Sequence, residues 1–401
     1  MWVKVRVKLR RKILLISVLG LVVAFSVACA AEYYEEEPPV LELWFWDAAM
    51  EEAARQMSFQ NFNLQYSIIP WGEFWPALQS ALVSGAGPDL FWMNQPNAVA
   101  YMPSGLLMPL DGFGLDLSGF ELLQCQPFMH EGALYGLPIS FDTVMLFYNK
   151  ELFREAERPY PPRRGWSWDD LLEAALALTF VAEDEVLRYG LGISYSIQTG
   201  AGNFIRQNSG NIFEPSYTAL EALQFMHNLM HVYRVSPSPD ENARLNPHGD
   251  LFVSGIMAME IQGSWRFPVY YEFLGENLGI AHLPRSVREA TTFHNIAYMV
   301  SANTQNFEAV QEFLHYAASS LHGDAVASVF LPSHMHSRHL WPDIFSETLI
   351  FAEPLPLTTV NAGLVWDALN YKLRKIFDDE TPIELEILQQ ISEIVNFYTT
   401  K

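Results

Sequence analysis

Two amide side chains, Asn94 and Gln95, follow directly on a short apolar run, Leu90-Phe91-Trp92-Met93. Each can donate to and accept from a hydroxylated ligand, or cap a following helix. The run is fed by Gly85-Ala86-Gly87-Pro88-Asp89. Gly tolerates positive φ and Pro fixes φ, so these residues read as a turn into a buried parallel strand. In open α/β sheets, ligands sit at the carboxyl ends of strands, where Asn94 and Gln95 fall. Asp89 reads as fixing the turn and Trp92 as core. Other chemistry finds little support. His334-x-His336-x-x-His339 is the one metal-like spacing, but no Cys or acidic ligand accompanies it. It reads as a solvated Pro-rich loop, and no metal is expected. Gly85-x-Gly87 lacks the third glycine of a dinucleotide fingerprint, and there is no Walker A sequence. No cofactor is expected, and the chain does not itself hydrolyse ATP. Its 46 acidic residues could supply a carboxylate pair for glycoside hydrolysis, but nothing in their spacing selects one.

Composition narrows the partners. The 401 residues are 50% hydrophobic, enough for two folded cores. With 24 Lys+Arg against 46 Asp+Glu, the net charge of −22 argues against nucleic acid or anionic membrane as a partner. Aromatic content is 14% with 11 Trp, more than a core needs, which suggests ring-lined surfaces.

The charge is unevenly spread. Lys4, Arg6, Lys8, Arg10, Arg11 and Lys12 precede an apolar stretch, 13–25, the layout of a secretory signal. An uncleaved membrane anchor is the alternative reading of that stretch. It ends Phe25-Ser26-Val27-Ala28-Cys29. Small residues before a Cys resemble a bacterial lipobox, in which Cys29 is lipidated. The expected layout is then a signal peptide at 1–28 and an acidic, Pro-ended tether at 29–39. Cys125, left without a partner, reads as a small buried hydrophobe.

The fold class reads as α/β. Strands at 40–46, 64–69 and 90–93 alternate with helices at 48–57 and 74–83, a βαβαβ start with a parallel sheet. A β-rich run from Gly136 to Tyr148 reads as passing from one lobe to the other. Ser167 and Asp170 make a capping pattern for a helix at 171–179. Further strands are expected at 189–193, within 251–261 and at 291–301. Helices are expected at 218–233, 309–319 and after Thr381-Pro382.

Five blocks, taken together, resemble the family 1 extracellular solute-binding proteins of bacterial ABC importers, in the maltose-binding-protein-like sugar-binding lipoprotein branch. They are Gly-x-Gly-Pro-Asp-Leu-Phe-Trp at 85–92 and Gly-Leu-Leu-x-Pro-Leu at 105–110. Next comes Leu-Tyr-Gly-Leu-Pro from 134, with Asp142 and Tyr148-Asn149-Lys150-Glu151-Leu152-Phe153. Trp168-Asp169-Asp170-Leu171-Leu172 and Ala258-Met259-x-x-x-Gly263-Ser264-Trp265 complete the set.

The resemblance implies a periplasmic-binding-protein-like fold, two α/β lobes joined by hinge strands around a ligand cleft. Hinges fall at 138–142, 292–298 and 319–324. The N-terminal lobe takes 40–138 plus 298–319, and the C-terminal lobe 142–292 plus 323–401. Phe293-His294-Asn295 stands where the family often has small residues, and the Pro-bearing stretch 331–366 aligns poorly. By resemblance, Trp46, Trp265 and Trp366 offer rings to the C–H faces of a sugar, and Asp142 accepts sugar hydroxyls. Asn203, Glu260 and Tyr298 are lesser candidates; Trp71 and Trp75 are as well explained by packing.

The implied function is a monomeric receptor, lipid-anchored on the extracellular face of the bacterial cell membrane and touching membrane only through that anchor. It would bind a mono- or oligosaccharide and deliver it to ABC permease subunits, and it is not an enzyme. A receptor for a sensor kinase and a secreted glycosidase are the alternatives.

Overall fold

Leu41, Leu43 and Phe45 alternate inward along the first strand, β1 (Val40–Phe45), and none is exposed. The structure is a computed structural model and describes residues 37–214, 216–246, 249–355 and 362–399. The signal segment, Cys29 and the tether up to residue 36 lie outside the described residues. β1 lies parallel to β2 (Asn63–Ile68) and β3 (Leu90–Asn94), with Val40 opposite Asn63 and Leu43 opposite Leu90. The helices Met50–Arg55 and Trp71–Ser84 make the crossovers, so the expected βαβαβ start is present. All five residues of β3 are buried, Trp92 completely.

The turn into β3 is held by one carboxylate. Gly85 ends the preceding helix at φ 73°, a conformation open to glycine. Asp89 then accepts from the Glu42 amide at 3.0 Å, from the Asn306 side chain at 3.2 Å and from the Thr304 hydroxyl. Its own carbonyl accepts from the Ser301 amide at 2.9 Å. Asp89 therefore ties together β1, the turn and the segment around Ser301 to Asn306.

Two short hairpins, β4 (Met129–His130) with β5 (Ala133–Leu134) and β7 (Phe180–Ala182) with β8 (Glu185–Arg188), flank the main sheet. Between them runs β6 (Gly136–Asn149), buried at every position. β9 (Met259–Gly263), β10 (Leu278–Ala281), β11 (Thr291–Val300) and β12 (Ala352–Pro354) complete the strands among the described residues. β11 is also buried throughout and lies antiparallel to both β3 and β6. β6 pairs with β11 over Gly136–Thr143, and then with β9 and β10 over Val144–Asn149. One strand thus serves two hydrogen-bonded sets, changing partner between Thr143 and Val144.

The apolar residues fall into three clusters. The first gathers Phe45, Trp92, Leu137, Tyr298 and Phe313. Val326 and Phe330, beyond residue 323, also pack into it. The second gathers Leu146, Phe153, Leu171, Leu223 and Leu369. The third sits beside the paired strands β6 and β11, with Phe141, Met145, Phe293, Trp341 and Phe345.

Several sequence expectations shift. The 189–193 segment makes only isolated bridges, Tyr189 to Met257 and Gly192 to Glu260. The last helix begins at Leu385, not at Pro382, because Asp379 captures the Thr381 amide and hydroxyl in a turn of its own. The Pro-rich stretch is not a solvated loop. It holds the helix Asp343–Glu347 and the strand β12, and it buries Trp341 and Phe345. Proline there stops long elements without preventing burial. By contrast Ser167 and Asp170 form the expected capping box on the helix Trp168–Leu178.

Asp89→Ala should lower stability by about 1–3 kcal/mol, since part-buried amide and hydroxyl donors lose a charged acceptor. Denaturant unfolding of the variant measures this, and an unchanged midpoint would show the turn to be held by Gly85 and Pro88 alone.

Candidate functional site

The carboxyl end of β3 opens on a cavity of about 660 Å³. One wall is the helix Trp71–Ser84 with the start of the helix Gln95–Tyr101, and the other is the helix Ala362–Asp378. The first two belong with the first core and the third with the second. Trp71 and Trp75, one helical turn apart, present their rings to this space, and Trp366 and Asp367 line it from the other side. Trp71 is 46% exposed, an unusual position for an indole with no polar need to be there. Trp46 stands against the pair, with ring centroids 5.3 Å from Trp71 and 5.6 Å from Trp75. Phe74 and Trp92 pack on Trp46 in turn, at 5.1 and 5.2 Å. The exposed rings are therefore fixed from beneath by buried ones.

The two amides part company. Asn94 lines the cavity and also caps the following helix, its Oδ1 accepting from the Asn97 amide at 3.3 Å and from the Asn97 side chain at 2.8 Å. Gln95 is buried outside the cavity lining. Its Nε2 donates to the Leu355 carbonyl at 3.4 Å, a bond from the first core to the segment after β12. Its Oε1 has no partner among the described residues.

Asp142 and Trp265 form a separate group. Asp142 lies on β6 next to the change of partner and accepts from the Ser264 hydroxyl at 3.2 Å. Burial, with Asp47 nearby, pushes its carboxyl up to about 7, against the lowering effect of the Ser264 bond. Trp265 is half-buried against the first core. Its ring covers Gly263 so closely that a Cβ there would fall 1.9 Å from Cζ3. The Gly-Ser-Trp block thus has a local cause: glycine admits the indole, and the serine reaches Asp142. Neither Asp142 nor Trp265 is among the residues lining the 660 Å³ cavity.

The lesser candidates are occupied elsewhere. Asn203 accepts from the Thr292 amide and hydroxyl, Tyr298 bonds His322 in the first core, and Glu260 accepts from Tyr270. A smaller hollow of about 250 Å³ is lined by Arg206, Arg288 and Glu353, but its guanidinium groups are spent on Glu353, Thr292 and the Pro354 carbonyl. No cluster of metal-ligating side chains occurs among the described residues. Sequence reasoning misses Asn97, Tyr101 and Asp367 in the cavity wall and leaves Trp71 and Trp75 between ligand contact and packing. The four-residue spacing of Trp71 and Trp75 is the available signal, since it places both rings on one helix face.

Comparison with known proteins agrees with this architecture. Residues 49–321, more than half of the chain, match the model of the bacterial extracellular solute-binding protein family. The chain belongs to that family. A putative binding protein of Brucella abortus is 24% identical over 225 residues, 53% of each chain. The galactooligosaccharide-binding protein of Bacillus subtilis is 26% identical over 247 residues, 59% of this chain and 57% of the relative. The chain thus spans about half the length of the curated relatives it matches. An ABC substrate-binding protein from Listeria monocytogenes, solved in complex with cycloalternan, superposes with a TM-score of 0.81 at 21% identity. That match covers 90% of this chain and 99% of the other, and it shows the periplasmic-binding-protein-like fold.

The Asp142 carboxyl sets a pH dependence with a definite sign. Between about pH 4 and pH 7 the folded chain holds a proton that the unfolded chain releases. Stability from this group is therefore full below the unfolded value and falls as pH rises to about 7. Asp142→Asn should be more stable than the parent at pH 8, by up to about 4 kcal/mol, and less different at pH 4. Thermal unfolding at the two pH values reads this; equal differences would rule out the buried carboxyl as the cause.

Proposed function

We propose that this chain is an extracytoplasmic receptor for an oligosaccharide, which it delivers to the permease of an ABC importer. The observation that carries the reading is the cavity wall. Trp71, Trp75 and Trp366 face a space between helices of two different cores, with the Asn94 and Asn97 amides among them. Flat rings suit the C–H faces of sugar rings, and neutral amides suit their hydroxyl rims. The B. subtilis and L. monocytogenes relatives, a galactooligosaccharide-binding protein and a substrate-binding protein in complex with cycloalternan, support the same ligand class.

Trp366 and Asn94 touch the sugar directly in this reading, Trp46 braces the aromatic wall and Gln95 bonds the two halves together. Asp142, Ser264 and Trp265 set the crossing of β6 and reach the ligand only if closure brings them to it. The first lobe takes 40–138 plus 298 to about 330, since Val326 and Phe330 share its core. The second takes 142–292 and the remainder. The chain works as a monomer, anchored outside the cell membrane through lipid on Cys29. Binding without catalysis fits the relatives, which are binding proteins.

A panel of linear oligosaccharides, read by thermal shift and then by calorimetry, tests this. Trp71→Ala and Trp366→Ala should each weaken binding of the best ligand about tenfold or more, near 1.4 kcal/mol, while leaving the melting temperature within a few degrees. No stabilisation by any saccharide, or variants that bind like the parent, would defeat the proposal.

A further inference from the structure

Asp367 follows Trp366 on the helix Ala362–Asp378 and lines the cavity opposite the Trp71–Trp75 face. Among the described residues of that lining it is the one charged side chain, and none of them is Lys, Arg or His. It makes no hydrogen bond or ion pair to another described residue. Its side chain is exposed at the cavity wall, where partial desolvation by the nearby protein raises its carboxyl, and no described residue compensates it. A carboxylate in that condition gains from accepting ligand donors, and two adjacent hydroxyls of one sugar ring match its two oxygens. A ligand that covers it displaces water and so strengthens its field toward a charge on that ligand.

Resting on the carbohydrate reading above, we infer that Asp367 makes this cleft selective for oligosaccharides without acidic groups, by accepting sugar hydroxyls and repelling uronic acids. The mechanism has an attractive part and a repulsive part. Neutral sugars supply donors to oxygens that no described residue engages. A ligand carboxylate supplies none at that position and sets a like charge against Asp367, with no basic side chain among the described lining residues to offset it. The chain's net charge of −22 acts in the same direction, but over longer distances that salt screens. The local and global contributions are therefore separable.

The test uses α-1,4- and β-1,4-linked trisaccharides of glucose and galactose, each paired with the C6-carboxylate form of the same trisaccharide. Calorimetry at about 0.15 M salt compares the parent with Asp367→Asn. In the parent, the neutral form of the best ligand should bind about tenfold or more tightly than its acidic form. Asp367→Asn, which keeps the side-chain volume, should weaken neutral binding several-fold and bring the two forms to within about threefold of each other. A group that merely held the helix would weaken both forms alike and leave the ratio standing. Equal binding of both forms to the parent, or an unchanged ratio in Asp367→Asn, overturns the inference while leaving the carbohydrate reading intact. Failure of all the trisaccharides, neutral and acidic, removes the carbohydrate reading and this inference with it.

Discussion

β6 and β11 are paired along a stretch in which every residue of both strands is buried. That pairing is the constraint on which the other placements rest. A one-residue slip would turn every side chain to the opposite face, so the register cannot drift. The local break in register between Ile296 and Ala297 is confined to one step. From this pairing, β11 fixes β3 on one side, and β3 ends in Asn94 at the cavity. On the other side, the second half of β6 fixes β9, whose end carries Ser264 to Asp142. β11 also carries His294, whose ring centroid lies 6.4 Å from that of Trp366, and the helix Ala362–Asp378 packs directly on the helix Gln95–Tyr101, so the two walls meet as well as sharing these strands.

The aromatic wall is built in depth. Trp92 and Phe74 are fully buried, Trp46 is half-buried upon them, and Trp71 and Trp75 are outermost. Edge-on contacts of this kind favour defined ring orientations. Rings held in place before a ligand arrives lose little freedom on binding, which is where preorganisation contributes to affinity. The connection from Gln95 to the Leu355 carbonyl adds a polar tie between the two halves. A single hydrogen bond of 3.4 Å can break when the halves separate, whereas the buried strands cannot.

Much of the fold is legible in the sequence because local signals are strong. The Gly85–Asp89 turn, the apolar run of β3 and the Ser167–Asp170 box each determine their structure within a few residues. The five-block resemblance supplies the architecture, which no periodicity specifies. The site is legible only in part. Asn94 and Trp366 reach the cavity; Asp142 and Trp265 lie apart from it, because the packing of Trp265 on Gly263 is a three-dimensional fact with no linear signature. Asp367 carries no motif, and its role depends on which residues stand across the cavity. The prolines of the 331–358 stretch suggest exposure, while Trp341 and Phe345 find a third core formed by distant strands.

In the proposed mechanism, two bodies joined by β6 and β11 close around a sugar. A ligand shifts such an equilibrium only through contacts that differ between the open and closed forms, and the split cavity wall provides them. Small-angle scattering with and without a saturating oligosaccharide measures this most directly. Closure predicts a smaller radius of gyration and a shorter maximum dimension in the bound protein. Identical curves with a bound ligand, whose occupancy is confirmed by calorimetry on the same sample, would contradict it.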